Sequence, residues 1–292
     1  MKLPKIVVIL GPTATGKSDL GVEIARRFNG EVVSADSRQV YKGMDLGSGK
    51  ITEKEMRGVP HHLLDVCSPK KIYNVSNFKQ GAERAIEKIL AKGKLPILVG
   101  GTGFYIQSIV DGIVIPEVPP NPELRSRLEK MSVAELQNIL KKKDPERFAK
   151  IDVKNPARLV RAIEITEALG KIPKLKSEPK YECIQIGLTL PHNELSQKIQ
   201  ARLMKRIKKG MIKEVQKLHD VGLSWKRLES FGLEYRYIAQ FLQKKISRAE
   251  MIEQIHIKSL QFAKRQMTWF KRDERIKWFN PGHVEKIFQI IK

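Results

Sequence analysis

Ile6-Val7-Val8-Ile9-Leu10-Gly11-Pro12-Thr13-Ala14-Thr15-Gly16-Lys17-Ser18 is the stretch whose reading decides the fold. The apolar run from Ile6 to Leu10 has the character of a strand buried on both faces, and Asp19 to Phe28 is amphipathic with helical spacing. Between them the spacing GxxxxGK[ST] turns backbone N–H groups and a helix N-terminus toward one point, where a phosphate chain is surrounded by donors. Lys17 adds a point charge, and the Ser18 hydroxyl can hold Mg²⁺. A glycine turn that merely joined two elements would not require this spacing in this setting. A diphosphate leaving group and a nucleoside triphosphate make similar demands on such a loop, so the motif leaves the phosphate compound open.

Outward from the loop, Glu31-Val32-Val33-Ser34-Ala35 reads as a second strand that delivers Asp36-Ser37-Arg38-Gln39 at its C-terminal end, where open α/β sheets bind ligands. An acid carried there can ligate Mg²⁺ or serve as a general base, and it can equally close the strand with an Asx turn. Tyr41 to Lys50 is glycine-rich and reads as a mobile loop. His61 and His62 point in different directions from an extended backbone, which disfavours a metal pair. Phe78 to Lys92 is helical, and Leu95-Pro96-Ile97-Leu98-Val99 is another buried strand. It runs into Gly100-Gly101-Thr102-Gly103-Phe104-Tyr105, with a hydroxyl and bare backbone where an ATPase carries its Walker-B acid.

Proline-rich Pro116 to Pro122 breaks the alternation, and the segments from there to about Pro179 read as helical, an inserted domain. In it Asn155-Pro156 is a helix start, Leu159, Ile163 and Thr166 form the inward stripe, and Arg158 and Arg161 share an outer face. Cys183 to Leu190 returns to the strand pattern. Helices follow at Asn193 to Lys209, Ile212 to Val221, Tyr235 to Lys244 and Arg248 to Lys271, with a short strand at Lys277-Trp278-Phe279 before a last helix. In the 248–271 helix Leu260, Ala263, Met267 and Phe270 form a core stripe, while Lys258, Arg265 and Arg272 recur every seven residues on another face. Such a basic face with Trp269 beside it suits a phosphate backbone and a stacked base. The expected fold class is therefore α/β, a P-loop NTPase-like parallel sheet flanked by helices. Residues 1–117 form the first part of the core, 118–180 an all-helical insertion, and 181–292 the strand return and helical C-terminal region.

The 292 residues include 55 Lys and Arg against 32 Asp and Glu, a net charge of +23. Residues 1–120 carry 17 basic and 12 acidic side chains, net +5, which leaves 38 against 20, net +18, for the remainder. An excess this lopsided calls for a polyanionic partner, nucleic acid above all. Five apolar residues before Gly11-Pro12 are too few for a signal peptide, and no run is long enough to span a membrane. Cytoplasmic residence, no membrane partner and reduced Cys67 and Cys183 are expected.

Taken together the motifs resemble the tRNA dimethylallyltransferase (tRNA isopentenyltransferase) family. Gly11 to Ser18 looks like its diphosphate loop, Asp36 to Tyr41 its DSxQxY segment, His61 to Asp65 its HHLxD and Gly100 to Tyr105 its GGTxxY. Asn155 to Glu164 and Ala263 to Phe270 match two further family motifs in order, so the likeness covers nearly the whole chain. It implies transfer of a dimethylallyl group from dimethylallyl diphosphate to the exocyclic N6 of adenosine 37, in tRNAs reading codons that begin with U. Mg²⁺ is the implied cofactor, the tRNA anticodon stem-loop the partner, a monomer the expected state, and ATP hydrolysis is not expected. The diphosphate would lie on Gly11, Pro12, Thr13, Ala14, Thr15, Gly16, Lys17 and Ser18, with Ser18 on the metal and Arg202 matching a family arginine.

An adenine amino group is a poor nucleophile because its lone pair is delocalised into the ring. A carboxylate that accepts its proton lowers the barrier, and Asp36 is the candidate base. Lys17 and the loop N–H groups stabilise the leaving diphosphate, and Thr102 would bond the diphosphate or the base. The resemblance places tRNA against Asp36, Ser37, Arg38, Gln39, Thr102, Arg125, Ala157, Arg158, Leu159, Val160, Arg161, Lys264, Arg265, Gln266, Met267, Thr268, Trp269, Phe270 and Lys271. Two segments depart from the family pattern: Gly47-Ser48-Gly49-Lys50 replaces GTAK, and Phe231-Gly232-Leu233-Glu234-Tyr235-Arg236 stands where a Gly-Tyr pair is followed by a basic residue and Glu. An adenylate isopentenyltransferase or a P-loop small-molecule kinase are the alternatives. The first shares Asp36 without needing the +18 section, and the second shares only the loop.

Overall fold

The Ile6–Leu10 run lies at the centre of a sheet. The computed structural model describes residues 2–173 and 176–292. Its strands are β1 (Lys5–Leu10), β2 (Gly30–Ala35), β3 (His61–His62), β4 (Leu95–Gly100), β5 (Glu182–Leu188) and β6 (Lys277–Phe279). They form one sheet in the order β3-β2-β4-β1-β5-β6, every pairing parallel. Val7 stands opposite Ile97 of β4 on one side and Ile184 of β5 on the other.

Helices cover both faces of the sheet, so β1 needs apolar residues at consecutive positions. α1 (Lys17–Arg27), α2 (Glu53–Met56), α3 (Val75–Ala91) and α4 (Gly103–Val110) are interleaved with the first four strands. Ile6, Val8 and Leu10 enter one core with Phe78, Ile86 and Ile89 of α3 and Ile109 of α4. Val7 and Ile9 enter a second with Leu20 and Ile24 of α1. Each such side chain contributes about 1.5–3 kcal/mol by leaving water.

α5 (Pro122–Leu128), α6 (Val133–Lys143), α7 (Pro145–Phe148) and α8 (Pro156–Leu169) lie between β4 and β5 in the chain. Residues 113–178 are a compact unit of their own, and residues 1–112 with 179–292 form the other. The smaller unit has its own core of Leu128, Leu136, Leu140, Leu159, Val160 and Ile163. Its helices start where the caps stand: Asn121, Ser132, Asp144 and Asn155 each accept a backbone N–H of the first turn, and proline follows three of these four.

In the larger unit α9 (His192–Lys208), α10 (Met211–Asp220), α11 (Trp225–Ser230), α12 (Leu233–Leu242) and α13 (Arg248–Phe270) connect β5 to β6. After β6, α14 (Val284–Ile291) packs Ile287 and Ile291 on the core of Val7 and Ile9. The pattern gave no helix at Trp225–Ser230, because six residues with one buried position, Leu228, are too short for a periodicity. The reading of Tyr41 to Lys50 as a mobile loop is corrected. Tyr41 and Met44 are buried among Leu203, Met211, Val215 and Tyr235, and Glu214 accepts the N–H groups of Asp45, Leu46 and Gly47 at 3.0, 2.6 and 2.9 Å. Its glycines serve close approach here: a Cβ at Gly47 would strike the Tyr235 ring.

Candidate active site

Three strand ends build the site. β1, β2 and β4 are neighbours, so the loops leaving Leu10, Ala35 and Gly100 emerge side by side at the carboxyl edge, beside the point where the order turns from β4 to β5. Gly16 takes φ +84° and makes no side-chain cap at the start of α1, leaving the first N–H groups of an eleven-residue helix directed at the loop. Thr15 donates its hydroxyl to Pro12 O at 2.9 Å, and Lys17 Nζ donates to the same carbonyl at 2.6 Å, so the lysine is folded back over the loop. Arg202 of α9 reaches the Thr13 hydroxyl.

These residues border a cavity of about 580 Å³ that also takes in Asp36, Gln39, Ser48 and Gly49. Its charge is concentrated. Burial, and then the nearby Arg202 guanidinium, push the Lys17 ammonium down to about 7 against an upward pull from Asp36. Burial and Arg206 push Arg202 down to about 10. Two crowded cations beside free helix N–H groups make a site short of negative charge, which a diphosphate supplies.

Asp36 and Thr102 face each other across adjacent strand ends. The Thr102 hydroxyl accepts the Ser37 N–H at 3.0 Å. Asp36 Oδ1 accepts the N–H groups of Arg38 and Gln39 at 2.8 and 3.3 Å, so the Asx turn and the candidate base are the same residue. One oxygen fixes the turn, and Oδ2 has no hydrogen bond among the described residues. A second cavity, about 540 Å³, shares Thr13, Asp36, Ser48, Arg202 and Phe262 with the first and adds Ser37, Arg38, Thr102, Phe231, Tyr237, Lys258 and Arg265. The first cavity is walled by the Thr13–Ser18 loop and the second is basic and aromatic, and they meet at the candidate base.

No three His, Cys, Asp or Glu side chains converge on an ion site among the described residues. Ser18 is exposed at the start of α1, in the cavity that Asp36 lines. Mg²⁺ keeps most of its water and takes phosphate oxygens with one or two protein ligands, so this sparse set fits an ion that arrives with a diphosphate.

The other sequence candidates divide by burial. Lys264, Arg265, Thr268 and Lys271 are exposed and Met267 is half-buried, but Gln266 and Phe270 are buried. Gln266 Oε1 accepts the Thr13 N–H at 2.9 Å and its Nε2 donates to Gly101 O at 2.9 Å, stitching α13 to two site loops. Gln266 is thus a loop support and Phe270 a core residue, because each faces into the fold. The Trp269 indole packs against Gly103, edge-on to Phe104. Gln39 accepts from Ser34 and donates to Gly49 O, which turns it to the phosphate side.

In the smaller unit Ala157 and Arg158 are exposed, whereas Leu159 and Val160 are core, so their side chains cannot face a partner. Arg125 makes a two-pronged pair with Glu164, and Arg161 pairs with the same carboxylate and with Val118 O. Burial alone would raise the Glu164 carboxyl. The Arg125 guanidinium, the Asn121 N–H and the Arg161 guanidinium overcome it and hold it at about 2. Sequence reasoning missed Arg206, Glu214, Glu234 and Phe262; the only signal was Arg202 and Arg206 standing four apart on one helix face.

Fold and site define an α/β protein with a P-loop-like turn after β1, Gly101-Thr102 after β4 where a Walker-B acid would stand, and a basic, aromatic cavity beside the loop. The comparisons carry this further: the chain belongs to the IPP transferase family, whose model matches residues 39–273. It is 46% identical over 275 residues to tRNA dimethylallyltransferase 2 of Treponema denticola, with 92% of each chain covered. It is 41% identical over 299 residues to the tRNA dimethylallyltransferase of Carboxydothermus hydrogenoformans, covering 98% of this chain and 96% of that one. Among solved structures it resembles the tRNA isopentenylpyrophosphate transferase of Bacillus halodurans, with TM-score 0.75, 35% identity, and 98% and 95% of the two chains covered. A eukaryotic dimethylallyltransferase acting on tRNA gives TM-score 0.84 at 26% identity, over 97% of this chain and 75% of that one. The family resemblance and the parallel α/β fold read from the sequence are borne out.

Proposed function

We propose that this protein is a tRNA prenyltransferase that moves a dimethylallyl group from dimethylallyl diphosphate to N6 of adenosine 37 in tRNAs reading codons that begin with U. The observation that carries the reading is the meeting of the two cavities at Asp36. The diphosphate lies on the Gly11–Ser18 loop, held by its N–H groups, Lys17 and Arg202. The target adenine leaves the anticodon stack and enters the second cavity, with N6 toward Asp36. The C1–O bond breaks with its electron pair going to the diphosphate, the N6–C1 bond forms, and the N6 proton passes to Asp36 Oδ2. Loop N–H groups, Lys17 and Arg202 stabilise the charge that grows on the leaving oxygen. Mg²⁺ bound with the substrate at Ser18 would supply further charge neutralisation there. Thr102 holds the Ser37 backbone and thereby the Asp36 turn.

The exposed Lys264, Arg265, Thr268 and Lys271 face of α13 and the Ala157, Arg158, Arg125 and Arg161 group contact the anticodon stem-loop. The inserted unit, residues 113–178, serves as the clamp. The enzyme acts as a cytoplasmic monomer. ATP is neither hydrolysed nor required. Incubation with labelled dimethylallyl diphosphate, Mg²⁺ and either tRNA or AMP tests the reading: label moves to tRNA alone. Label on AMP and none on tRNA would assign the adenylate enzyme instead, and phosphate release from ATP in step with turnover would assign a kinase-like reaction.

A further inference from the structure

Two segments that depart from the family pattern are far apart in sequence, and in the fold they touch. Glu214 of α10 receives four donors: the N–H groups of Asp45, Leu46 and Gly47, and the Tyr235 hydroxyl at 2.9 Å. Successive N–H groups turned to one point form an anion nest, and here the anion is a side chain of the protein itself. Beside it Arg206 donates to Gly47 O at 3.2 Å and pairs with Glu234. Its guanidinium lies 3.0 Å from where a Cβ at Gly49 would stand, and Gly49 takes φ +63°, the left-handed conformation that glycine adopts without strain. Glu214 and Arg206 thus tie the 45–47 backbone to Glu234 and Tyr235.

The clamped turn leads directly to the site. Ser48 lines both cavities, and Gly49 lines the phosphate one. Gly49 O accepts from Gln39 Nε2 at 3.3 Å, and the Gln39 N–H is held by Asp36 Oδ1. A continuous path thus runs from Glu214 through residues 45–49 and Gln39 to the turn that carries Asp36. On its other side Tyr235 and Glu234 belong to the 231–237 segment that lines the acceptor cavity. The phosphate loop lies outside this path, since its ties go to Gln266 and Arg202.

We propose that Glu214 is a positioning residue of the prenyl transfer, fixing through the 45–49 turn the wall between the two cavities and the attitude of the Asp36 turn. The proposal rests on the function proposed above. A glutamine at this place keeps the shape but presents one acceptor oxygen and turns an NH₂ group toward backbone donors. Hydrogen bonds to a charged partner are the strong ones, and losing two of them lets the wall shift.

The test is steady-state prenyl transfer to tRNA by the full chain, comparing wild type, Glu214→Gln and Tyr235→Phe, together with the inhibition constant of inorganic diphosphate. We expect Glu214→Gln to lower kcat about ten-fold or more. Tyr235→Phe should lower it less, and the diphosphate inhibition constant should stay within about two-fold in both variants. A merely structural role would lower the thermal midpoint and leave kcat per folded molecule unchanged. The proposal is overturned if folded Glu214→Gln keeps wild-type kcat, or if the diphosphate inhibition constant rises in step with the loss. If Glu214→Gln does not fold, Tyr235→Phe decides by the same two criteria. A wild-type chain that transfers nothing to tRNA is a separate result, which removes the proposed function and this proposal with it.

Discussion

Replacing Gln266 by leucine separates a loop support from an RNA contact. The side chain is buried and makes two 2.9 Å hydrogen bonds, one from the Thr13 N–H and one to Gly101 O. Leucine has similar bulk and no polar atoms, so the change strands both backbone partners. Each stranded group costs about 1–3 kcal/mol, less where cavity water reaches it, and about 2–4 kcal/mol is expected for the pair. In a chain of 292 residues that lowers the thermal midpoint by roughly 3–7 °C. Because Thr13 belongs to the phosphate loop, affinity for dimethylallyl diphosphate should fall about ten-fold, the equivalent of one charge-assisted hydrogen bond. Affinity for an anticodon stem-loop should stay within about two-fold of wild type. Thermal unfolding, calorimetric diphosphate titration and filter binding read the three quantities. Weakened RNA binding with an unchanged midpoint and unchanged diphosphate affinity would refute the assignment of Gln266 as a loop support.

Two other perturbations follow from charge. With its ammonium pushed down to about 7 by burial and by Arg202, Lys17 is largely neutral above that pH and charged below it, whereas bound diphosphate favours the charged form. Binding therefore takes up about one proton per site at pH 8, and Lys17 weakens affinity by up to about ten-fold per unit as pH rises from 7 to 9; calorimetry in buffers of different ionisation heat measures the uptake, and none at pH 8 would contradict the placement. On exposed α13, Lys264→Glu should weaken tRNA binding and flatten its salt dependence with dimethylallyl diphosphate affinity unchanged; an unaltered salt slope would make this face ordinary solvated surface.

The sheet was legible because local signals agreed. Ile6–Leu10 needs cover on both faces, GxxxxGK[ST] needs a strand before it and a helix after it, and Gly100-Gly101-Thr102 ends β4 beside Ala35. Asp36 was legible as a candidate site residue, and its Asx turn leaves one carboxylate oxygen without a hydrogen bond among the described residues. What escaped were partners distant in sequence. Gln266 and Thr13 are separated by 253 positions, and nothing in either neighbourhood announces the bond. Glu214 reads as one more charge on an amphipathic helix, and only the fold brings it under the 45–47 backbone. Arg125 and Arg161 read as tRNA-facing cations, and the buried carboxylate they share, Glu164, is brought to Arg125 only by the packing of two helices.

The central claim is that one carboxylate, Asp36, stands where a phosphate cradle and a nucleobase cavity meet. Transfer of label from dimethylallyl diphosphate to a tRNA anticodon stem-loop, without ATP, by wild type and by Asp36→Ala tests it most directly. The account predicts label on N6 of adenosine 37 with wild type. With Asp36→Ala, which removes both the base and the acceptor of the Arg38 and Gln39 N–H groups, it predicts a rate lower by about 10²–10⁴-fold or more, the usual contribution of a general base being the lower part of the loss. Full turnover by Asp36→Ala, or label on any other atom of the RNA, would contradict it.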